Sequence, residues 1–218
     1  HYSEKLLLMN YLPMVYPKPY TKKKLSEDEL NKKNIYSCPQ TLFKIHPDFD
    51  QIIFDILEKD KKGIFYLIKD SNKVWYKKLI KRLSKNKKYD SKKIIFLDPL
   101  NYEDYLLHLG RSSVLLDPLY YGAGNSFFES MLFGTPTITF PTDYIKSRLV
   151  LGAYKQMEIK NAPIATSIQN YIDLAVKYAN RDDIRALKNS YKTAAEKKLF
   201  NTKKAGEEFN KIISNLFN

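Results

Sequence analysis

The chain has 218 residues and a mass of 25.6 kDa, which suits one large domain or two small ones. Its 44% hydrophobic and 14% aromatic content suffices for a buried core and excludes wholesale disorder. No apolar run approaches the roughly 18 residues of a membrane span, no signal-peptide pattern opens the chain, and a single cysteine, Cys38, excludes an internal disulfide. We therefore expect a cytoplasmic globular protein with no membrane span and, with three histidines, no metal site.

The net charge is +13, which is compatible with nucleic acid, an anionic membrane surface or an anionic ligand as partner. The basic residues are mostly lysines in runs, most densely between residues 77 and 93. Arginine, the usual reader of bases and phosphates, is scarce. We therefore do not expect nucleic acid as a partner, although a basic nucleic-acid-binding protein stays open as an alternative function.

The first 34 residues differ in pattern from the rest. Residues 1–20 carry aromatics and three prolines, and a lysine-rich polar stretch follows, which predicts an N-terminal arm and linker over residues 1–34. From residue 35 to residue 218, short apolar segments alternate with helical patterns. Predicted strands fall at residues 34–37, 64–69, 94–97, 113–117 and 135–140. Predicted helices fall at residues 49–58, 74–84 and 102–110, from a glycine-rich turn to Met131, from Tyr144 onward, and from Tyr171 to the end.

This alternation is typical of βαβ units. Residues 94–97 and 114–116 are apolar on both faces, as the buried strands of a parallel sheet are. The sequence therefore predicts an α/β fold with a doubly wound parallel sheet over residues 35–218, followed by C-terminal helices.

In such sheets, ligands bind beyond the carboxyl ends of the strands. Thr41 and Lys44 follow the first predicted strand, where Lys44 can bring a charge to a phosphate and Thr41 can bring a hydroxyl. An ordinary capped helix explains this stretch at least as well.

The stretch after the fourth strand, residues 117–136, is the most informative. Gly122 and Gly124 allow a tight turn and a close approach to a ligand. Asn125 or Ser126 can cap the following helix, whose first N–H groups attract anions. Glu129 lies one turn further on, where its carboxylate can accept hydrogen bonds from a ribose diol. The alternative is that Glu129 only stabilises the helix dipole.

After the third strand, Tyr102 and Tyr105 lie three residues apart at a helix start, where they can offer a flat surface to a base. Aromatics at this spacing belong more often to a core. The sequence has no P-loop and no GxSxG motif. Beside the terminal His1, only His46 and His108 remain as imidazole bases, and the leucines around His108 predict that it is buried. These residues indicate a ligand cleft without an evident general base.

Taken in order, these stretches resemble the C-terminal half of the catalytic region of protein O-linked N-acetylglucosamine transferases and of the related bacterial protein N-glycosyltransferases. The matching residues are Tyr2-Ser3-Glu4-Lys5-Leu6, Thr41-Leu42-Phe43-Lys44-Ile45-His46-Pro47, Leu116-Asp117-Pro118, Phe133-Gly134-Thr135-Pro136, Ser147-Arg148 and Leu199-Phe200-Asn201-Thr202-Lys203. The resemblance implies a GT-B fold, in which the active site lies between two Rossmann-like halves. This chain would be the half that holds the UDP-sugar, with residues 35–218 as the UDP-sugar-binding domain.

The resemblance also implies roles for the site residues. Lys44 would be catalytic and would contact the diphosphate, with Thr41 beside it. Asn125 and Ser126 would lie at the helix start that cradles the phosphates. Glu129 would replace the family's aspartate as the partner of the ribose hydroxyls.

At three further residues the chain departs from the protein O-linked enzymes. Tyr105 falls where the protein O-linked enzymes have a uracil-stacking histidine, Tyr102 where they have a lysine, and Gly124 where they have a histidine. Thr41 and Asn125 instead match the N-glycosyltransferase branch.

The implied activity is inverting, metal-independent transfer of a hexosyl or N-acetylhexosaminyl group from a UDP-sugar to a protein side chain, with no cofactor. The implied partners are the UDP-sugar donor, a protein or peptide acceptor and a missing N-terminal catalytic half. Alone, the chain is expected to bind a uridine nucleotide weakly and to transfer sugar poorly. A UDP-binding module without catalysis stays open as an alternative.

Overall fold

The computed structural model describes residues 3–201 and 203–217. Tyr2 and Thr202, two residues of the motifs above, lie outside the described residues. Five parallel strands form one sheet in the order β3-β2-β1-β4-β5. The strands are β1 (Ile35–Ser37), β2 (Ile64–Ile68), β3 (Ile94–Leu97), β4 (Val114–Leu116) and β5 (Thr137–Ile138).

Helices connect and flank these strands. They are α1 (Glu27–Leu30), α2 (Pro47–Lys59), α3 (Val74–Leu83), α4 (Tyr102–Arg111), α5 (Asn125–Ser130), α6 (Leu149–Gln156), α7 (Ile168–Ala179), α8 (Ile184–Ala194) and α9 (Lys203–Phe217). A π-helical turn, Ala195–Leu199, continues α8. Among the described residues, no helix is both long enough and apolar enough to cross a membrane.

Strand β4 shows why the sheet must be covered on both faces. Val114 and Leu116 pack into the large core that contains residues of α2 and α7. Leu115, which points the opposite way, packs against Leu106 and Leu109 of α4. Apolar residues on both sides of one strand require helices on both sides of the sheet, so the predicted doubly wound α/β fold is confirmed.

The strand order also determines where a ligand can bind. The chain runs outward from β1 to β3 and then crosses back to place β4 on the other side of β1. Connections that leave β1 and β4 therefore diverge and open a crevice beyond the carboxyl ends of these two strands. The loops at residues 38–41 and 117–124 lie at this crevice.

Most predicted elements differ from the structure by one or two residues at their ends, and two differ by more. The strand predicted at residues 135–140 is reduced to β5, which pairs with β4 only at Thr137 and Ile138, while Thr139 forms an isolated bridge with Ile164. The N–H and C=O of Thr137 face away from β4 and bond to the Tyr154 hydroxyl at 2.7 and 2.9 Å. The helix predicted from Tyr144 begins as a short 3₁₀ turn, Ile145–Ser147, and becomes an α-helix only at Leu149. The Ser147 hydroxyl accepts from Thr142 N–H and donates to the Tyr144 carbonyl, which holds this segment as a turn.

Residues 3–26 contain no helix or strand and run as an arm over the domain. Leu12, Met14 and Tyr16 pack against a second core formed by α5, α6 and α8. Side chains of Glu103, Gln156, Glu196 and Glu208 bond to the arm along its length. The arm therefore connects the C-terminal helices with the start of α4.

Candidate functional site

A cleft of about 660 Å³ opens at the crevice between the β1 and β4 loops. Seven of the eight residues that the sequence predicts for the site line it, and Tyr102 lies beside it. The seven are Thr41, Lys44, Tyr105, Gly124, Asn125, Ser126 and Glu129. The walls are completed by Gln40, Tyr121 and Lys146, among others, so the sheet topology brings two distant segments into one concave site.

Lys44 ends a short 3₁₀ turn, Leu42–Lys44, that follows β1. Its ammonium donates to the Gln40 side-chain carbonyl at 3.0 Å and lies 4.5 Å from the centre of the Tyr121 ring. The Gln40 amide in turn donates to the Ser126 hydroxyl across the cleft. Burial lowers the pKa of Lys44, while the nearby Asp117 opposes this effect. The site therefore holds a half-buried cation ready to meet an anionic ligand.

The loop after β4 is pinned from below by Asp117, which is 3% exposed. Its carboxylate accepts from the Ala123 N–H and, at 2.6 Å, from the Thr139 hydroxyl. Burial raises the pKa of Asp117 to about 7, against the effect of these hydrogen bonds and of Lys44. The backbone of Gly122 approaches Asp117 closely, because a Cβ at this position would lie 3.0 and 3.2 Å from the two Asp117 carboxylate oxygens.

The start of α5 corrects one prediction. Asn125 is the first helical residue, Gly124 occupies the N-cap, and no side chain caps the helix, so neither Asn125 nor Ser126 is the predicted N-cap. The reason is that Ser126 faces the cleft and bonds to Gln40. Because α5 has only six residues, its dipole is small, and the positive charge of the cleft comes from Lys44 and Lys146.

Glu129 is buried at the bottom of the cleft, 9% exposed. Its two oxygens accept from two tyrosine hydroxyls, Tyr16 on Oε1 and Tyr105 on Oε2, each at 3.1 Å. Burial and the charge of Glu129 raise the pKa of both phenols. The carboxylate is therefore held by two permanent donors and still lines the cleft.

Tyr102 and Tyr105 stack, with ring centres 6.5 Å apart and planes 23° from parallel. Tyr102 is 51% exposed, whereas Tyr105 also packs against the small core around Leu106. A second cavity of about 210 Å³ adjoins the cleft and is lined by Tyr105, Pro99 and Leu100. The sequence left open whether Tyr105 belongs to the core or to a binding surface, and the structure shows that it packs against the core and also lines both cavities.

The two histidines have structural partners. His46 caps α2 by accepting from the Asp48 N–H at 3.3 Å. His108 is buried as predicted, lies 3.1 Å from the Ser37 hydroxyl, and burial lowers its pKa to about 4. Within residues 3–201 and 203–217, no group of three or more His, Cys, Asp or Glu side chains is placed to hold a metal ion.

Sequence reasoning missed three residues of this site. Gln40 sits next to Thr41 and joins Lys44 to Ser126, and Asp117 supports the loop from beneath. Both lie at predicted strand ends, so the sequence could have placed them near the site, but it could not have predicted their hydrogen bonds. Tyr16 carries no local signal, because 113 residues separate it from Glu129.

Comparison with known structures gives three informative neighbours. An O-GlcNAc transferase of Thermobaculum terrenum matches 93% of this chain at 17% identity with a TM-score of 0.72. S. aureus TarM, solved with UDP, matches 94% at 17% identity with a TM-score of 0.66. The pneumococcal O-GlcNAc transferase GtfA, solved with UDP and GlcNAc, matches 86% at 14% identity with a TM-score of 0.53.

The chain spans 37%, 38% and 37% of these three proteins. At such identities the likeness bears on the fold, and it confirms the predicted Rossmann-like α/β fold of the GT-B type. Sequence comparison with curated proteins gives no match. The model of glycosyl transferase family 41, however, matches residues 22–209. The chain therefore belongs to glycosyl transferase family 41.

Proposed function

We propose that this chain is the UDP-sugar-binding half of an inverting, metal-independent glycosyltransferase that acts on protein side chains. The observation that carries the proposal is the single cleft in which a cation, Lys44, and a buried carboxylate, Glu129, face the same space. Membership of family 41 and the neighbours solved with UDP support a nucleotide-sugar donor.

The cleft accommodates each part of such a donor. The diphosphate lies against Lys44 and the N–H groups near Asn125 and Ser126, and the ribose hydroxyls donate to Glu129. The base stacks on Tyr105 in the adjoining cavity of about 210 Å³.

In the proposed reaction, an acceptor oxygen or nitrogen bonds to the anomeric carbon from the face opposite to UDP. The bond from that carbon to the diphosphate oxygen breaks, and its electrons leave with UDP. Lys44 stabilises the charge that develops on this oxygen, and loss of one such donor typically costs about 2.7–4 kcal/mol. We assign the acceptor's proton to a base in the N-terminal half, because His46 and His108 are engaged elsewhere.

Calorimetric titration with UDP, with ADP as control and at two salt concentrations, tests the proposal. We expect saturable binding of UDP that Lys44→Ala weakens about 10–100-fold, as for loss of a hydrogen bond to a charged group. Lys77→Ala, an exposed lysine of α3, is the matched control and should leave the affinity unchanged. Equal affinity of wild type and Lys44→Ala would remove Lys44 from the site.

Two alternatives make different predictions in the same experiment. A nucleic-acid-binding protein is favoured by the +13 charge and the lysines of residues 77–93. It would bind UDP and ADP equally, with an affinity that falls steeply with salt and depends on Lys77. A UDP-binding module without catalysis would bind UDP normally, yet the chain joined to its N-terminal half would turn over no donor. Turnover by that joined enzyme should persist in EDTA if the reaction needs no metal.

A further inference from the structure

The arm of residues 3–26 is anchored on both sides of the candidate site. On the side of the C-terminal helices, the Asn10 amide donates to Glu208, and the Leu12 N–H donates to Gln156 at 2.9 Å. On the side of α4, the Lys22 N–H donates to Glu103 at 3.1 Å. The arm between these anchors crosses α5, and it carries Tyr16 to Glu129.

Tyr16 is held in place by its ring as well as by its hydroxyl. The ring stacks on Phe128 with centres 4.9 Å apart and planes 18° from parallel. The hydroxyl donates to Glu129 Oε1 at 3.1 Å, while Tyr105 donates to Oε2 at the same distance. Two donors on two different oxygens fix the rotation of the carboxylate about its last bond.

An ionised carboxylate has about four lone-pair positions. Tyr16 and Tyr105 take two of these positions, and burial and the charge of Glu129 also raise the pKa of the neighbouring Tyr102. Glu129 still lines the cleft, where a ligand can meet its carboxylate. Tyr16 is not among the residues that line the cleft. Its direct link to the cleft is the hydrogen bond from its hydroxyl to Glu129.

We propose that Tyr16 is a positioning residue of the nucleotide site: its hydroxyl orients Glu129 so that the carboxylate meets the two ribose hydroxyls. The inference rests on the proposed function, because it takes the ligand to be a uridine nucleotide. The arm is then part of the donor site, and it contributes to the selection of a ribose over a deoxyribose.

Tyr16→Phe tests the inference, because it keeps the ring on Phe128 and removes only the hydroxyl. Calorimetric titration of the 218-residue chain with UDP and with 2′-deoxy-UDP gives the discrimination between the two. We expect Tyr16→Phe to bind UDP about fivefold more weakly, as for loss of one orienting hydrogen bond. Its affinity for 2′-deoxy-UDP should change less, so the ratio of the two affinities falls. Tyr20→Phe, 72% exposed on the same arm, is the control and should leave the ratio unchanged.

The outcomes separate the two proposals. If wild type binds UDP and Tyr16→Phe keeps its preference for UDP over 2′-deoxy-UDP, the inference is wrong and the proposed function stands. If Tyr16 had a purely structural role, Tyr16→Phe would lower the melting temperature and weaken the binding of both ligands equally, and this result would also contradict the inference. If wild type binds neither nucleotide, the proposed function fails, and the inference fails with it.

Discussion

Lys188 gives the sharpest prediction about stability. It belongs to α8, is 2% exposed, and its ammonium lies 2.7 Å from the Gly110 carbonyl and 3.4 Å from the Leu30 carbonyl. These carbonyls belong to the last turns of α4 and α1, where backbone oxygens lack helical partners and a cation is favoured. Gly134 brings α8 this close, since a Cβ there, at a φ of +70°, would lie 1.9 Å from the Lys188 carbonyl.

The pKa of Lys188 sets the size of the effect. Burial lowers it from 10.5 to about 7. Between pH 7 and 10.5 the unfolded chain therefore binds more protons than the folded chain, so stability rises with pH in this window. One pKa unit corresponds to about 1.4 kcal/mol, and between pH 7 and 9.5 the gain integrates to about 3 kcal/mol. Below pH 7 both states carry the proton, and the contribution of Lys188 becomes constant.

Urea unfolding of wild type and Lys188→Met at pH 7 and at pH 9.5 measures this gain. The free energy of unfolding of wild type minus that of the variant should increase by about 3 kcal/mol between the two pH values. Lys192→Met removes an exposed lysine from the same helix and should show no such increase. Parallel pH profiles for wild type and Lys188→Met would refute the reasoning, whatever the variant's absolute stability.

Two further predictions concern the loop after β4. Gly122→Ala should lower the free energy of unfolding by about 1–3 kcal/mol and weaken UDP binding, because the new Cβ displaces the Asp117 carboxylate. A Cβ at Gly206 would have no heavy atom within 4 Å, so Gly206→Ala should neither lower stability nor weaken binding. Thermal unfolding and calorimetry measure the two effects. The affinity for UDP-glucose should rise as the pH falls from 8 to 6, because Asp117, with a pKa of about 7, loses its charge beside the anion site. Asp117→Asn should abolish this dependence, and a slope that persists in the variant would assign it to another group.

The fold follows from the sequence because its signals are local. Residues 94–97 and 114–116 are apolar on both faces, and helical patterns separate them from their neighbours, so the parallel sheet and its crossovers are predictable. The ends of the strands and helices are less predictable from the sequence. The backbone of Thr137 is satisfied by Tyr154, 17 residues away, and the sequence pattern of β5 contains no sign of this bond.

The residues of the site also fall into those that local sequence signals predict and those that depend on distant contacts. Lys44 and Glu129 were predictable, because each follows a strand end within a few residues and the topology of a doubly wound sheet brings such ends together. The N-cap of α5 was not, because Ser126 bonds across the cleft to Gln40 and leaves Gly124 at the cap. A hydroxyl or amide side chain can either cap the helix or bond across the cleft. Which of the two Ser126 does is decided by Gln40 on the opposite wall of the cleft.

The arm extends this argument to the whole site. The bond from Tyr16 to Glu129 joins residues 113 positions apart, and the bond from Asn10 to Glu208 joins residues 198 apart. Such contacts depend on residues far along the chain, so no pattern in the arm itself predicts them. If the arm were only a linker, nothing would require an aromatic hydroxyl at position 16. Because that hydroxyl meets a buried carboxylate at the bottom of the cleft, the arm and the cleft form one connected structure, and substitutions in the arm should be tested for their effect on the cleft.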